Sequence, residues 1–385
     1  LATTAGTCMV MGTASTMALM TEALGMMWPG GAAVPAVHAQ RLRIAELTGA
    51  RAVKMAEEGL TPKQIMTPRA FSNAFRVLLA VGGSTNGLVH MTAVAGRLGI
   101  QVDLNAFDLM GRNTPVLVDL KPSGQHYMED LHKAGGLAPI LRELSPLLHL
   151  DCMTVTGRTL GEEIDDAPTW SQKIVKSIQS PLSSEGGIAV LTGNLAPDTA
   201  IIKQSAATAD LLVHEGRAVV FESLEDLANR IDDPNLEVEE DDILVLRNAG
   251  PKGAPGMPES GYIPIPKKLA EAGVKDMVRI SDARMSGTAF GTIVLHVCPE
   301  AAIGGPLSFV HDGDRIRLDV PNRRIDLLVE TQILEERRVT WNPPTPPTGS
   351  DRGYLRLHLE HVEQANRGCD LDVLKPKVAD AITPE

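Results

Sequence analysis

Aromatic side chains are scarce in this chain, with six Phe, three Tyr and three Trp among 385 residues. Since 43% of the residues are hydrophobic, the cores must be built from Ala, Val, Leu, Ile and Met. Positive charge is also outweighed. Lys and Arg number 36 against 48 Asp and Glu, a formal net charge of -12, which argues against nucleic acid or an anionic membrane as the main partner. No stretch approaches the roughly 20 uninterrupted apolar residues that span a bilayer. Residues 1–29 are apolar but lack a basic leader and carry Glu22 and several glycines, so they do not read as a signal peptide. Cysteine is sparse: Cys8, Cys152, Cys298 and Cys369 are far apart, with no Cys-x-x-Cys pair. That excludes a zinc ribbon or a dense disulfide framework and favours a reducing cytoplasm.

The chain is longer than one usual domain, so two domains are expected. Residues 1–178 alternate helix-forming segments with short loops. Met17–Met27 and Arg41–Glu58 have helical composition, and 70–98 reads as two helices broken at Gly82-Gly83, where Ser84 or Thr85 caps the second. Pro115–Leu120 reads as a strand. From about Pro181 the texture changes to β-rich runs separated by Gly, Asp and Pro: GGIAVLTGNL, GRAVVFE, DDILVLRNAG, MVRISDA, GTIVLHV, DRIRLDV and RRIDLLV. Seven such runs point to a closed or sandwich-like β domain. A Pro-rich connector, Asn342–Ser350, precedes a terminal helix expected over Tyr354–Arg367. No internal repeat is evident.

Four segments can carry chemistry. In GTCMVMGTASTM, Cys8 sits on a Gly/Thr turn leading into an apolar helix; helix N-termini favour thiolate, whereas a cysteine among methionines also suits a buried small hydrophobe. GGSTN, Gly82–Asn86, is either an anion-binding nest or a helix break where glycines permit close packing. RNAGPKGAPGMPE fixes an irregular path after an apolar strand and ends on Glu259, a possible hard ligand for Mg²⁺ or a solvated carboxylate. In ISDARMSGTAFGT, Ser286 lies on a Ser-Gly-Thr turn with Asp282 and Arg284 close by; no Gly-x-Ser-x-Gly elbow surrounds it, and a turn-capping serine is the alternative. The histidines are scattered, and His126, followed by Glu129 and Asp130, is the one to watch.

The order and wording of GTCMVMGTASTM, PGGAAVPAV, VGGSTN, DLKPSGQHYMED, TVTGRTLGE, GNLAPD, RNAGPKGAPGMPE and ARMSGTAFGTIVLHVCPEAAIGGPL resemble the dihydroxy-acid dehydratase and phosphogluconate dehydratase family. Ala283-Arg284-Met285-Ser286-Gly287, GQHYMED and HVEQANRGCDLD look most like its sugar-acid branch, the aldonate dehydratases acting on arabinonate or xylonate. The resemblance implies a hydro-lyase that dehydrates an aldonic acid to a 2-keto-3-deoxy acid, using an iron–sulfur cluster, [2Fe–2S] rather than [4Fe–4S], and Mg²⁺. By resemblance, Cys8 is a cluster ligand, Glu259 a Mg²⁺ ligand and Ser286 the catalytic base, with Gly287, Thr288 and His126 near substrate.

The implied fold is α/β: an incomplete N-terminal α/β domain over 1–178, then a β-barrel-like domain with flanking helices over 179–385. Cys8 is expected to face Glu259 and Ser286 between them. The implied assembly is a homodimer or homotetramer, without nucleic-acid or membrane partners. The resemblance begins inside a cluster motif, which implies that the family's N-terminal part, with two further cysteines and more Mg²⁺ ligands, is missing. Rival readings are the dihydroxy-acid dehydratase of branched-chain amino-acid synthesis, phosphogluconate dehydratase, and a non-catalytic partner subunit or relic.

Overall fold

A computed structural model describes residues 5–6, 8–168, 172–376 and 380–382. The chain forms two compact units, one of residues 1–188 with 376–385, the other of residues 189–375, against a division expected at 178/179. No helix among the described residues is long and apolar enough to cross a membrane.

The first unit is mainly helical. Its early helices are α1 (Thr13–Ala23), α2 (Ala39–Glu58), one-turn α3 (Pro62–Ile65), α4 (Pro68–Ala80) and α5 (Thr85–Arg97). Helix α1 begins four residues before the expected Met17 and stops at Ala23, because the chain turns at Gly25 with φ +83°. A Cβ on Gly25 would also come within 2.7 Å of the Met153 carbonyl oxygen. Helix α4 starts on Thr67, whose hydroxyl accepts from the Ala70 N–H, and has Pro68 in its first turn. It buries Phe71, Phe75, Leu78 and Leu79 among others, whereas α2 buries no residue along its 20 positions. Pro115–Leu120 is no regular strand: Val116, Val118 and Leu120 make isolated bridges to Ser183, Val175 and His126. Two short strands, β1 (Ile100–Val102) and β10 (Asp380–Ile382), pair in parallel.

The second unit is built on eight strands: β2 (Ala189–Leu191), β3 (Ala200–Ile202), β4 (Val213–Phe221), β5 (Ile243–Leu246), β6 (Arg279–Ser281), β7 (Ile293–Leu295), β8 (Arg315–Asp319) and β9 (Arg324–Leu327). Their order is β2-β3-β7-β6-β5-β4-β8-β9, with β4–β5, β5–β6 and β6–β7 parallel and the other pairs antiparallel. Just after β2, the Thr192 N–H donates to the Arg323 carbonyl and the Thr192 carbonyl accepts from Ile325, so the two ends of the sheet meet in a nearly closed barrel.

Alternation decides what fills the barrel. Ile243 and Val245 of β5 join Ala200, Ile202, Ala218, Val220, Ile280, Val294, Ile316 and Ile325 in one core, to which all eight strands contribute. Leu244 and Leu246 point the other way, against Val219, Phe221 and Leu227 of an outer layer. All seven β-rich runs contain a strand, and β3 lies outside them. The expected terminal helix is shorter than Tyr354–Arg367: it spans Gly353–His361 and is followed by a separate turn, Ala365–Arg367.

Candidate functional site

In the first unit, Cys8 is exposed on the non-helical segment before α1. That segment is stitched to the one carrying His126: the Met128 N–H donates to the Met9 carbonyl at 2.8 Å, and the Met11 N–H to the Lys121 carbonyl at 2.8 Å. His126 itself lies 3.7 Å from Asp119, whose other oxygen accepts from the Gln125 N–H at 2.8 Å. Lys121 reaches the Tyr127 hydroxyl at 2.7 Å. The stretches around Cys8 and His126, far apart in sequence, are therefore neighbours.

The GGSTN and GTASTM motifs also meet. Ser84 caps α5 by accepting from the Asn86 N–H at 3.2 Å, which decides between the two capping candidates. Its hydroxyl shares a 2.9 Å hydrogen bond with Thr13, its N–H donates to the Thr16 hydroxyl at 3.0 Å, and the Asn86 amide donates to Thr13 at 3.0 Å. Glycine is required here for close approach, since a Cβ on Gly83 would lie 2.8 Å from the Thr16 methyl. The close-packing reading of the two glycines is what the geometry supports.

Glu22, read from sequence only as a polar break in an apolar stretch, has a role. It is buried in α1 and accepts from the Gly30 and Ala32 N–H groups at 2.8 Å each, pinning the PGGAAVPAV segment. Burial pushes its carboxyl up to about 7, although the two N–H donors oppose the shift. Glu22 and His132 line a cavity of about 530 Å³.

In the second unit, the RNAGPKGAPGMPE loop is held from below by two buried carboxylates. Asp282 accepts from the Ala249 and Ala301 N–H groups at 2.9 Å each, fastening both the loop and the segment that follows Glu300. Its burial pushes the carboxyl up to about 7, and the nearby Glu300 adds to that. Glu300, 1% exposed, accepts from Lys252 at 3.0 Å, from Gly253 at 2.9 Å and from the Gln364 amide at 2.6 Å. A Cβ on Gly250 would lie 2.6 Å from a Glu300 oxygen, so only glycine lets the loop settle on that carboxylate.

The far end of this loop, which carries the exposed Glu259, is tied to the Ser286 segment. Arg284 Nε donates to the Met257 carbonyl at 2.6 Å, and the Gly261 N–H donates to the Arg284 carbonyl at 2.7 Å. Glu259 thus lies between two residues bonded to Arg284, two positions before Ser286. Met257 is held at φ +46°, a left-handed conformation uncommon for a side chain of its size.

Ser286 is half-buried. Its Oγ lies 2.9 Å from the Thr288 hydroxyl and accepts weakly from the Thr288 N–H at 3.4 Å, while its carbonyl accepts from the Ala289 N–H at 3.0 Å. Gly287 between them is buried. The capping role weighed for Ser286 is present, within a turn whose hydroxyls face each other.

Three of the four cysteines are drawn away from ligand chemistry. Burial raises the Cys152 thiol, and pushes Cys298 and Cys369 up to about 12. Cys298 packs with Met257 and Ala365. Among the described residues, no group of three or more His, Cys, Asp and Glu is arranged to hold a metal ion. Cys8 offers one soft donor and Glu259 one hard donor. Among the described residues neither belongs to a group of three or more such donors.

Comparison with known proteins agrees with this two-part organisation. A family model described as dihydroxy-acid/6-phosphogluconate dehydratase N-terminal matches residues 1–163, and its C-terminal counterpart matches residues 173–369. The chain belongs to this dehydratase family. Both family domains are represented in the chain.

Similar proteins include an L-arabinonate dehydratase of Rhizobium leguminosarum bv. trifolii, 50% identical over 92% of this chain and 61% of that protein. A 6-deoxy-6-sulfo-D-gluconate dehydratase of Pseudomonas putida is 45% identical over 96% and 64%, respectively. A dihydroxy-acid dehydratase of Methanothrix thermoacetophila is 42% identical over 94% and 66%. The chain spans 61 to 66% of the length of these curated relatives. The missed contributors, Glu22, Asp282 as a loop anchor and Glu300, are buried acids that grip backbone. The available signal was an acidic residue beside a Gly/Pro-rich motif.

Proposed function

We propose that this chain carries the hydro-lyase chemistry of a sugar-acid dehydratase, converting an aldonic acid to a 2-keto-3-deoxy acid. The observation that carries the reading is the double tie of Arg284 to Met257 and Gly261, which joins the Glu259 loop to the Ser286 turn. The 50% identity to a protein named L-arabinonate dehydratase favours aldonates over the branched dihydroxy acid.

Dehydration removes a weakly acidic proton from C2 and hydroxide from C3. In this reading Ser286 Oγ, as the alkoxide, takes the C2 proton and passes it to the departing C3 hydroxide, which regenerates the alkoxide. Its oxygen is steadied by the Thr288 hydroxyl at 2.9 Å. The C3 hydroxyl leaves as water, and the enol then tautomerises to the 2-keto acid. Gly287 and Thr288 border the reacting carbon, and His126 contributes to substrate binding. An iron–sulfur cluster of the [2Fe–2S] type and Mg²⁺ are the cofactors of this reading, with Cys8 and Glu259 supplying one ligand each. A homo-oligomer in the cytoplasm is the setting it implies.

The test is anaerobic assay of the protein, supplied with iron, sulfide and Mg²⁺, against L-arabinonate, D-xylonate, 6-phosphogluconate and 2,3-dihydroxyisovalerate. Formation of 2-keto-3-deoxy acid from a pentonate, abolished in Ser286→Ala, is the expected result. Turnover of 2,3-dihydroxyisovalerate alone would overturn the substrate class. Absence of turnover on every acid would leave the non-catalytic partner reading.

A further inference from the structure

Strand β3 is followed by a lysine that the proposed reaction does not use. Lys203 is 1% exposed, one of the largest fully buried side chains of the molecule. Among the described residues it forms no ion pair, and burial alone pulls its ammonium down to about 8. Strands β2, β3 and β7 contain no ionisable side chain. Across the 283–290 segment only Arg284 is charged, and its Nε is turned to the Met257 carbonyl. On neighbouring β6, Arg279 is closed in an ion pair with Asp276.

A buried ammonium without a counter-ion is costly, and such groups persist where they are used. The direction in which this one points is informative. Ala200 and Ile202 face the barrel interior, and Lys203 is the first residue beyond the strand, at the start of the next turn. Met285, Ile293 and Leu295 form a small cluster apart from that interior. Lys203 Nζ donates to the Gly287 carbonyl at 3.4 Å, the carbonyl directly after Ser286.

We infer that Lys203 is a positioning residue for Ser286: its ammonium anchors the Ser286–Gly287–Thr288 turn from the buried side and places a positive charge beneath the serine oxygen. This rests on the reading of Ser286 as the proton acceptor. Holding Gly287 by its carbonyl fixes the direction of the neighbouring Oγ. A positive charge at that place favours the oxygen once it has given up its proton. No covalent step falls to the lysine.

The experiment follows the backbone amides of Ser286, Gly287 and Thr288 by NMR between pH 6.5 and 9.5, in the whole chain and in Lys203→Met and Lys203→Arg. Dehydration kinetics are measured in parallel. The three amides should shift together, with a midpoint well below that of an ordinary lysine, and lose that transition in Lys203→Met. Lys203→Met should lower kcat about 100-fold, the scale of a misplaced reacting group, with KM nearly unchanged. Lys203→Arg should recover part of kcat.

Amides that do not titrate in that window, or a Lys203→Met protein with unaltered kcat, would overturn the inference. Should Lys203→Met fail to fold, the wild-type titration and Lys203→Arg still decide it. If the wild type dehydrates no aldonate, the functional reading falls, while the amide titration still tests the lysine.

Discussion

The Glu259 loop and the Ser286 turn lie side by side, yet they are held in opposite ways. The loop is fastened by anions: Asp282 and Glu300 accept from N–H groups of Ala249, Lys252 and Gly253, and Gln364 braces Glu300. The turn is fastened by a cation, Lys203, through one carbonyl. A backbone presents donors and acceptors equally, so either sign of buried charge can hold it. The difference lies in redundancy. The loop has several strong attachments and the turn has few, so the loop should fail through loss of stability and the turn through loss of reactivity.

The sharpest way to break the comparison is at the turn. Ser286→Ala should reduce dehydration about 1,000-fold, within the range for loss of a general base, while far-UV circular dichroism stays unchanged. A fall in helix or strand content would mean the turn is structural after all.

The next effect belongs to the loop and depends on pH. Asp282 and Glu22 both rise to about 7 on folding. From about pH 4 to pH 7 the folded chain therefore holds protons that the unfolded chain releases. Stability is greatest at the acidic end of that window and falls as pH rises through it. For Asp282 the loss amounts to about 4 kcal/mol at most. Urea denaturation between pH 5 and 8 should show this decline, and Asp282→Asn should flatten it, leaving the share due to Glu22. A slope unaltered in the variant would remove Asp282 from the account.

Smaller effects come from the second anchor. Glu300→Gln replaces an oxygen with an amide N–H that faces backbone donors, and should cost about 1–3 kcal/mol in the same measurement. Gly250→Ala drives a methyl against that carboxylate, at 2.6 Å in the unaltered geometry, and should cost a similar amount, about 1–3 kcal/mol. The smallest change is Thr288→Val, which removes one hydroxyl from the turn. It should lower kcat about tenfold or less, the worth of one hydrogen bond, with no shift in the urea midpoint.

Sequence reading reached the scaffold more surely than its anchors. Runs such as DDILVLRNAG and GTIVLHV are apolar, β-branched and bounded by turn residues, so β5 and β7 could be read directly. Strand β3 could not. Its three residues, Ala200–Ile202, stand between Asp-Thr and Lys-Gln, too short to show a period. With β3 went Lys203, whose contact, the Gly287 carbonyl, lies 84 residues away in sequence.

Pro115–Leu120 failed for the opposite reason. Its composition suits a strand, but its bridges to Ser183, Val175 and His126 go to three separate places. Glu259, Ser286 and Cys8 were singled out as candidates because their motifs are distinctive. Asp282 and Glu300 were not, because an acid that grips backbone looks the same in sequence as one in solvent.

The meeting of Thr192 with Arg323 and Ile325 has a consequence for how the protein survives in a crowded solution. A sheet with two free margins exposes rows of unpaired N–H and C=O groups that can recruit a strand from another molecule. Here β2 and β9 would be those margins, and the bridge at Thr192 joins their ends. That bridge shortens the open edge that the second unit offers to a neighbour. Protection against sheet-by-sheet aggregation is built into the same closure that packs its interior.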